Sequence, residues 1–176
     1  MNLDWTILQA IQSLTCPLLD FLMPKITALG NGGAIWLAAA VGLICTKKYR
    51  RQGILLLIGL LLGALVGVVG LKNLFARPRP CWLDTSVPLL IAVPQDYSFP
   101  SGHTLMSAIG AAMLAKIDRR FGYIAIPLAV LIAFSRLYLF VHFPSDILGG
   151  AVIGAAIGLM MMQLGNTVPK TFHRSL

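Results

Sequence analysis

Three short clusters in the chain hold the residue types that grip and break a phosphate ester: Lys72–Pro80, Pro100–His103 and Ser135–Asp146. A phosphate with two negative charges in a half-dry site needs fixed positive charge, and Lys72, Arg79 and Arg136 can supply it. Arginine suits this work because its planar fork can meet two phosphate oxygens at once. His103 and His142 add imidazoles, and Asp146 follows His142 by four residues, within reach of its ring. A carboxylate on one imidazole nitrogen fixes the tautomer and leaves the other nitrogen free to act. Two histidines on separate elements divide the labour. One attacks phosphorus, and the other protonates the departing oxygen and later activates water.

Each cluster lies at the edge of a long apolar segment, where ionisable groups read as function before packing. Arg136 interrupts an apolar helix and so requires a polar or anionic partner. Lys72 alone reads as a helix-end cation reaching for the interface, and Arg77 as a surface cation or a headgroup contact. Pro100-Ser101-Gly102-His103 reads as a helix start. Its free N–H groups and dipole favour an anion, and Gly102 lets that anion approach the backbone. Pro144 fits the first turn of the last helix. No cluster of carboxylates is available for Mg²⁺, so the expectation is a site with no metal and no cofactor, its charge stabilised by side-chain cations.

Of the 176 residues 57% are hydrophobic and 11% charged, a membrane composition. The length suits one membrane-embedded domain, 1–176, with the motifs in 72–146. A net charge of +8 suggests nucleic acid, but the basic residues fall in short loops and in the motifs, so no nucleic-acid partner is expected. The partners expected are a lipid phosphate or pyrophosphate and the surrounding membrane lipids. Cys16, Cys45 and Cys81 have no paired or metal-binding spacing and read as apolar fillers; a Cys16–Cys81 bridge is the alternative. Asp4 and the lack of a basic residue before Lys25 argue against a signal peptide.

The fold class expected is all-α: a polytopic membrane helix bundle of about five transmembrane helices plus N-terminal interfacial amphipathic helices. Leu3, Ile7, Ile11 and Leu14 recur at helical spacing, giving a short helix over 3–15. A second follows Pro17 and breaks near Pro24, so segment 1–30 is placed at the interface. Spans are read at 32–46, 53–71, 102–117, 121–141 and 145–164. Residues 74–100 cannot span, since they hold Pro78, Pro80, Pro88, Pro94, Asp84 and Asp96. Five spans gather Lys47, Lys48, Arg50, Arg51, Lys116, Arg119, Arg120, Lys170 and Arg174 on one face, which the positive-inside rule makes cytoplasmic. The motifs then face outward.

Together the clusters resemble the three-part signature of the type 2 phosphatidic acid phosphatase superfamily. Its parts are Lys-x6-Arg-Pro, Pro-Ser-Gly-His and Ser-Arg-x5-His-x3-Asp, all matched in order over residues 72–146. The resemblance implies His142 as a nucleophile forming a phosphohistidine, oriented by Asp146, with His103 as acid and then base. It implies Lys72, Arg79, Ser101, Gly102 and Arg136 as phosphoryl contacts. Many bacterial membrane members have six spans, and here segment 1–30 replaces the first. Trp82–Ile91 reads as a lid dipping into the headgroup layer. A bacterial cell-membrane location with an outward site suits two substrates: undecaprenyl pyrophosphate, preferred for its similarity to small enzymes of that kind, and a phospholipid phosphate such as phosphatidylglycerophosphate or phosphatidic acid. Phosphotransfer to another lipid stays open. An inactive membrane scaffold is opposed by the intact motifs, and a haloperoxidase by the small, apolar chain.

Overall fold

The protein is described by a computed structural model over residues 3–167. The order is α1 (Leu3–Gln12), α2 (Pro17–Leu29), a 3₁₀ turn (Asn31–Gly33), α3 (Ala34–Cys45) and α4 (Arg50–Gly63). Helix α4 runs on through a π-helical stretch (Ala64–Leu71) into α5 (Lys72–Phe75). Then come α6 (Pro80–Leu83), a long irregular loop, α7 (Gly102–Ile117), α8 (Arg119–Tyr138) and α9 (Pro144–Thr167). The all-α expectation holds for the described residues. The break expected near Pro24 does not occur: α2 runs through it, as α8 runs through Pro127. Membrane helices tolerate such prolines because neighbouring groups re-satisfy the freed carbonyl.

Among the described residues, three runs are long and apolar enough to cross a membrane: Arg50–Leu83, Arg119–Tyr138 and Pro144–Gly165. Helices α1 and α2 together make a fourth only as a pair bent by 119°. The reading of five spans is therefore not shown. Helix α3 has 12 residues and α7 has 16, short of the roughly 20 that cover the hydrocarbon layer. Apolar content alone suggested spans there, but these helices need not meet lipid over their whole length. Helix α7 is the central post, burying Leu105, Ile109 and Met113 among α4, α8 and α9.

Close approach is built from small residues, as expected where hydrophobic force between helices is weak. Gly150, Gly154 and Gly158 turn one stripe of α9 onto the α7 backbone. A Cβ on Gly150 would meet the Ser101 carbonyl at 2.8 Å, and one on Gly158 the Ile109 carbonyl at 3.0 Å. On the other side, a Cβ on Gly63 would meet Ile109 at 2.5 Å. These contacts bring the start of α9, the start of α7 and the end of α4 to one end of the bundle. The opposite end holds the basic turns, where Tyr49 meets Phe121 edge-on at 5.6 Å.

Helix α1 turns Leu8 and the polar Asp4 and Gln12 toward the protein and leaves Thr6 and Gln9 exposed. Leu3 and Ile7 are exposed while Leu8 is fully buried. Gln12 donates to the carbonyls of Leu137 and Tyr138 at 3.3 and 3.1 Å. Of the expected apolar stripe, Leu3, Ile7 and Leu14 look outward, whereas Ile11 packs against the cluster that holds Leu8.

Candidate active site

One cavity of about 810 Å³ opens at this end, lined by Lys72, Arg79, Gly102, His103, Arg136 and His142 among others. Three different elements deliver its cations. Lys72 begins α5 where the π-helical stretch ends; the wider turns shift the register of α5 against α4, a feature often found at functional sites. Arg79 precedes α6, and Arg136 occupies the last turn of α8. All three are buried. Arg136 donates to the Thr27 hydroxyl at 2.7 Å, while its buried Nε has no hydrogen-bond partner among the described residues. An unmet buried N–H costs roughly 1–3 kcal/mol.

Asp96, on the irregular loop, already engages two of the cations. Its carboxylate accepts from Lys72 and, at 2.6 Å, from Arg79 Nη2, and its carbonyl accepts from Arg79 Nε at 2.7 Å. Burial alone would raise the Asp96 carboxyl. The Lys72 hydrogen bond and the charges of Lys72 and Arg79 outweigh that and hold it at about 2. Asp96 is therefore ionised at any ordinary pH, and protonation cannot clear it from the cations.

Arg79 Nη1 lies 3.0 Å from His142 Nε2 and donates at 2.7 Å to the Val141 carbonyl. A guanidinium only donates, so Nε2 accepts and the ring proton sits on Nδ1. Burial, then the charges of Arg79, Arg136 and Lys72, push His142 well below its ordinary pKa. That shift favours the neutral ring, whose Nε2 lone pair accepts from Arg79 Nη1 in a residue that lines the cavity. Its Nδ1 faces Asp146 Oδ2 at 3.5 Å and Ser98 Oγ at 3.4 Å. Both are longer than a formed hydrogen bond, as catalytic contacts often are before substrate tightens them. Asp146 is fully buried and accepts from Ser98 Oγ, from the Phe143 N–H at 2.7 Å and from Arg77 Nη1 at 2.6 Å. Two residues just upstream of these groups, Ala76 (φ 43°) and Phe140 (φ 58°), are left-handed, each at a cost of about 1–2 kcal/mol. The surrounding packing turns the chain sharply so that Arg77 and His142 point inward.

Pro100-Ser101-Gly102-His103 starts α7 as the sequence suggests, with Ser101 as N-cap. Ser101 is fully buried, accepts from the Thr104 N–H and hydroxyl, and donates its own N–H to the Asp146 carbonyl at 3.1 Å. It lies outside the cavity lining, whereas Gly102 and His103 belong to it. His103 Nε2 is 3.0 Å from Asn31 Oδ1 on the 3₁₀ turn.

Five polar residues at the site escaped the sequence reading: Asp4, Asn31, Arg77, Asp96 and Ser98. Arg77 lies inside the Lys72–Pro80 cluster, and Ser98 and Asp96 stand two and four residues before Pro100; that nearness was the signal available. The stretch read as a lid folds down onto the protein. Trp82 donates to the Pro94 carbonyl at 3.1 Å, Leu89 and Ile91 pack against the cluster around Tyr138, and Ile91 also lines the cavity. Phe99 meets Phe75 edge-on at 4.9 Å and sits against Gly149, which pins the loop beside α9. Cys16, Cys45 and Cys81 are all free thiols. Among the described residues no group of three or more His, Cys, Asp or Glu side chains gathers as a metal-ligand set.

The arrangement gathers three cations and two imidazoles around one cavity of an all-helical bundle, chemistry able to hold a phosphoryl group. The sequence profile of the PAP2 superfamily matches residues 52–170, so the chain belongs to that superfamily. It is an integral membrane, multi-pass phosphatase of that group. An undecaprenyl-diphosphatase of Sulfolobus acidocaldarius is 34% identical over 136 residues, covering 77% of this chain and 66% of the relative. The undecaprenyl-diphosphatase BcrC of Bacillus subtilis is 29% identical over 171 residues, covering 93% and 85%. Among solved structures, Aquifex aeolicus LpxE superposes with a TM-score of 0.79 at 29% identity, covering 93% of this chain and 96% of that one. A transmembrane PAP2-type phosphatidylglycerolphosphate phosphatase from Bacillus subtilis superposes at 0.78 and 28%, covering 95% and 86%.

Proposed function

We propose that the protein hydrolyses a lipid pyrophosphate, undecaprenyl pyrophosphate in first place, through a phosphohistidine on His142. The carrying observation is that His142 lines one cavity together with Lys72, Arg79 and Arg136, with its Nε2 beside Arg79 Nη1 and its Nδ1 toward Asp146. In the first step Nε2 attacks phosphorus. The N–P bond forms, the bond to the bridging oxygen breaks, and His103 gives that oxygen a proton. His103 takes up that proton once the phosphate's negative charge offsets the burial and the Arg136, Lys72 and Arg79 charges that otherwise hold it at about 3. In the second step His103 takes a proton from water, whose oxygen attacks phosphorus. The N–P bond breaks and its electron pair returns to Nε2. Lys72, Arg79 and Arg136 stabilise the charge on the phosphoryl oxygens, as fixed donors do where charge develops. Gly102 gives access to the start of α7, and Ser101 caps that helix. The arriving phosphate displaces the Asp96 carboxylate from Lys72 and Arg79.

The substrate assignment draws on the names of two relatives and on the cavity's apolar wall of Ala64, Val68, Val69 and Ile91, which suits a hydrocarbon chain. The alternative is a phospholipid phosphate, the substrate named for the Bacillus subtilis structure. The test is phosphate release by the purified protein from both lipids at matched surface concentration, with EDTA present. Undecaprenyl pyrophosphate is expected to be the faster, and vanadate to inhibit. The reverse order moves the assignment to phospholipid. Loss of activity in EDTA with rescue by Mg²⁺ rejects the metal-free mechanism.

Outward orientation is proposed from the basic turns, which occupy the end of the bundle away from the cavity. On a background without native cysteines, Lys48→Cys and Arg119→Cys should resist an impermeant thiol reagent in intact cells, while Asp84→Cys should react. Outside labelling of Arg119→Cys would reverse the orientation.

A further inference from the structure

Arg77 spends its whole fork beside the catalytic pair and outside the cavity. Nη1 donates to Asp146 Oδ1 at 2.6 Å and to Ser145 Oγ at 2.7 Å, and Nη2 donates to Asp4 Oδ2 at 2.7 Å. The guanidinium lies over the Phe143 ring at 4.3 Å. Its own carbonyl accepts the Ser98 N–H at 2.8 Å, and Ser98 is the residue whose hydroxyl donates to Asp146. Arg77 thus holds the buried carboxylate directly and also holds the hydroxyl on its other oxygen.

Asp4 completes the arrangement from the far end of the sequence. Its carboxylate accepts the Ser145 N–H at 2.9 Å and the Ser145 hydroxyl at 2.5 Å, serving the first turn of α9. Trp5 packs edge-on against Phe143 at 5.1 Å and seats α1 there.

A carboxylate with no exposure needs a cation or a dense set of donors to stay ionised in place. His142 is neutral and 3.5 Å away, so it does not serve as that cation. A headgroup contact is also a poor description of Arg77, because its donors are taken by Asp4, Ser145 and Asp146.

We propose that Arg77, braced by Asp4 of the N-terminal helix, is a positioning residue that aims Asp146 and thereby His142 for attack. This rests on the phosphohistidine reading of the site. It also gives α1 a catalytic purpose: the helix clamps the support of the nucleophile.

Orienting partners one layer behind a reacting imidazole typically contribute about 10–100-fold. The test is rapid-quench measurement of phosphoenzyme formation in wild type, Arg77→Gln, Arg77→Lys and Asp4→Asn, each purified in detergent. Competitive inhibition by inorganic phosphate is measured alongside. Arg77→Gln is expected to slow phosphoenzyme formation about 10–100-fold while phosphate inhibition stays unchanged, because Lys72, Arg79 and Arg136 are intact. Arg77→Lys should restore part of the rate. Asp4→Asn should slow it in the same direction by less, since Arg77 still reaches Asp146.

Wild-type formation rates in a folded Arg77→Gln protein overturn the proposal. So does weaker phosphate inhibition with an unchanged rate, which would make Arg77 a phosphate contact. If Arg77→Gln does not fold, Asp4→Asn decides: a slowed rate supports the proposal and a wild-type rate overturns it. Absence of phosphohistidine in the wild type sinks the underlying reading, and is seen before any variant is made.

Discussion

His142→Ala is expected to yield no covalent phosphoenzyme and to bring turnover down to the level of background hydrolysis. The substitution removes the nitrogen that takes the phosphoryl group, and nearby groups are poorly placed to replace it. Arg79 has no lone pair to offer. Asp146 lies behind the ring, enclosed by Ser98, Phe143 and Arg77. Removing a nucleophile in a comparable two-step hydrolase costs on the order of 10⁶ in turnover. Binding should largely survive, because the three cavity cations remain. The measurement is rapid quench with radiolabelled substrate, then mapping of the labelled peptide. Label persisting in His142→Ala, or appearing on His103, reverses the roles assigned to the two histidines.

The groups proposed to do the chemistry were legible because their types are costly in an apolar chain and their spacing is local. His142 and Asp146 are four residues apart across a helix start, and Ser101 announces α7 as an N-cap must. The supporting groups were not legible, since sequence distance hides them. Asp4 meets Ser145 from 141 positions away, and Asn31 meets His103 from 72. Arg77 read as a surface cation because a Pro-rich turn gave no hint that Ala76 reverses the chain and drives it inward. Asp96 read merely as a polar residue that prevents the loop from spanning.

The fold shows the same division. Helix existence came through in the apolar runs and punctuation. The spans read at 53–71, 121–141 and 145–164 fall on runs able to cross, whereas those read at 32–46 and 102–117 do not, because hydropathy does not distinguish lipid contact from burial against other helices. Helix α7 carries an apolar run and spends it on α4, α8 and α9. The stripe on α1 was visible as a pattern, but whether it faces protein or lipid depends on what the polar side finds. Here that side finds Arg77, Ser145 and the carbonyls at the end of α8. A proline inside α2 misled for a related reason: the rule that it ends a helix assumes water as the competitor for freed backbone groups, and a membrane bundle offers none.

The same division of labour predicts that His103→Ala fails at a different step from His142→Ala. Turnover should fall roughly 10²–10⁴-fold, the range for loss of a general acid or base. With a substrate whose leaving group is already a weak base, the first step should be only mildly slowed, because that group departs without a proton. The second step still requires a base for water. Phosphoenzyme should therefore accumulate in His103→Ala, stable in base and labile in acid as a phosphohistidine is. With a poor leaving group both steps suffer, and accumulation should vanish. Asp146→Asn offers the contrast. It leaves both imidazoles in place, so adduct formation should slow without any accumulation, because orientation of the nucleophile is lost and the base for the second step is kept. The comparison is made by rapid quench across leaving groups of graded basicity. Adduct that fails to accumulate in His103→Ala even with the best leaving group would remove His103 from the second step and require another base beside the cavity.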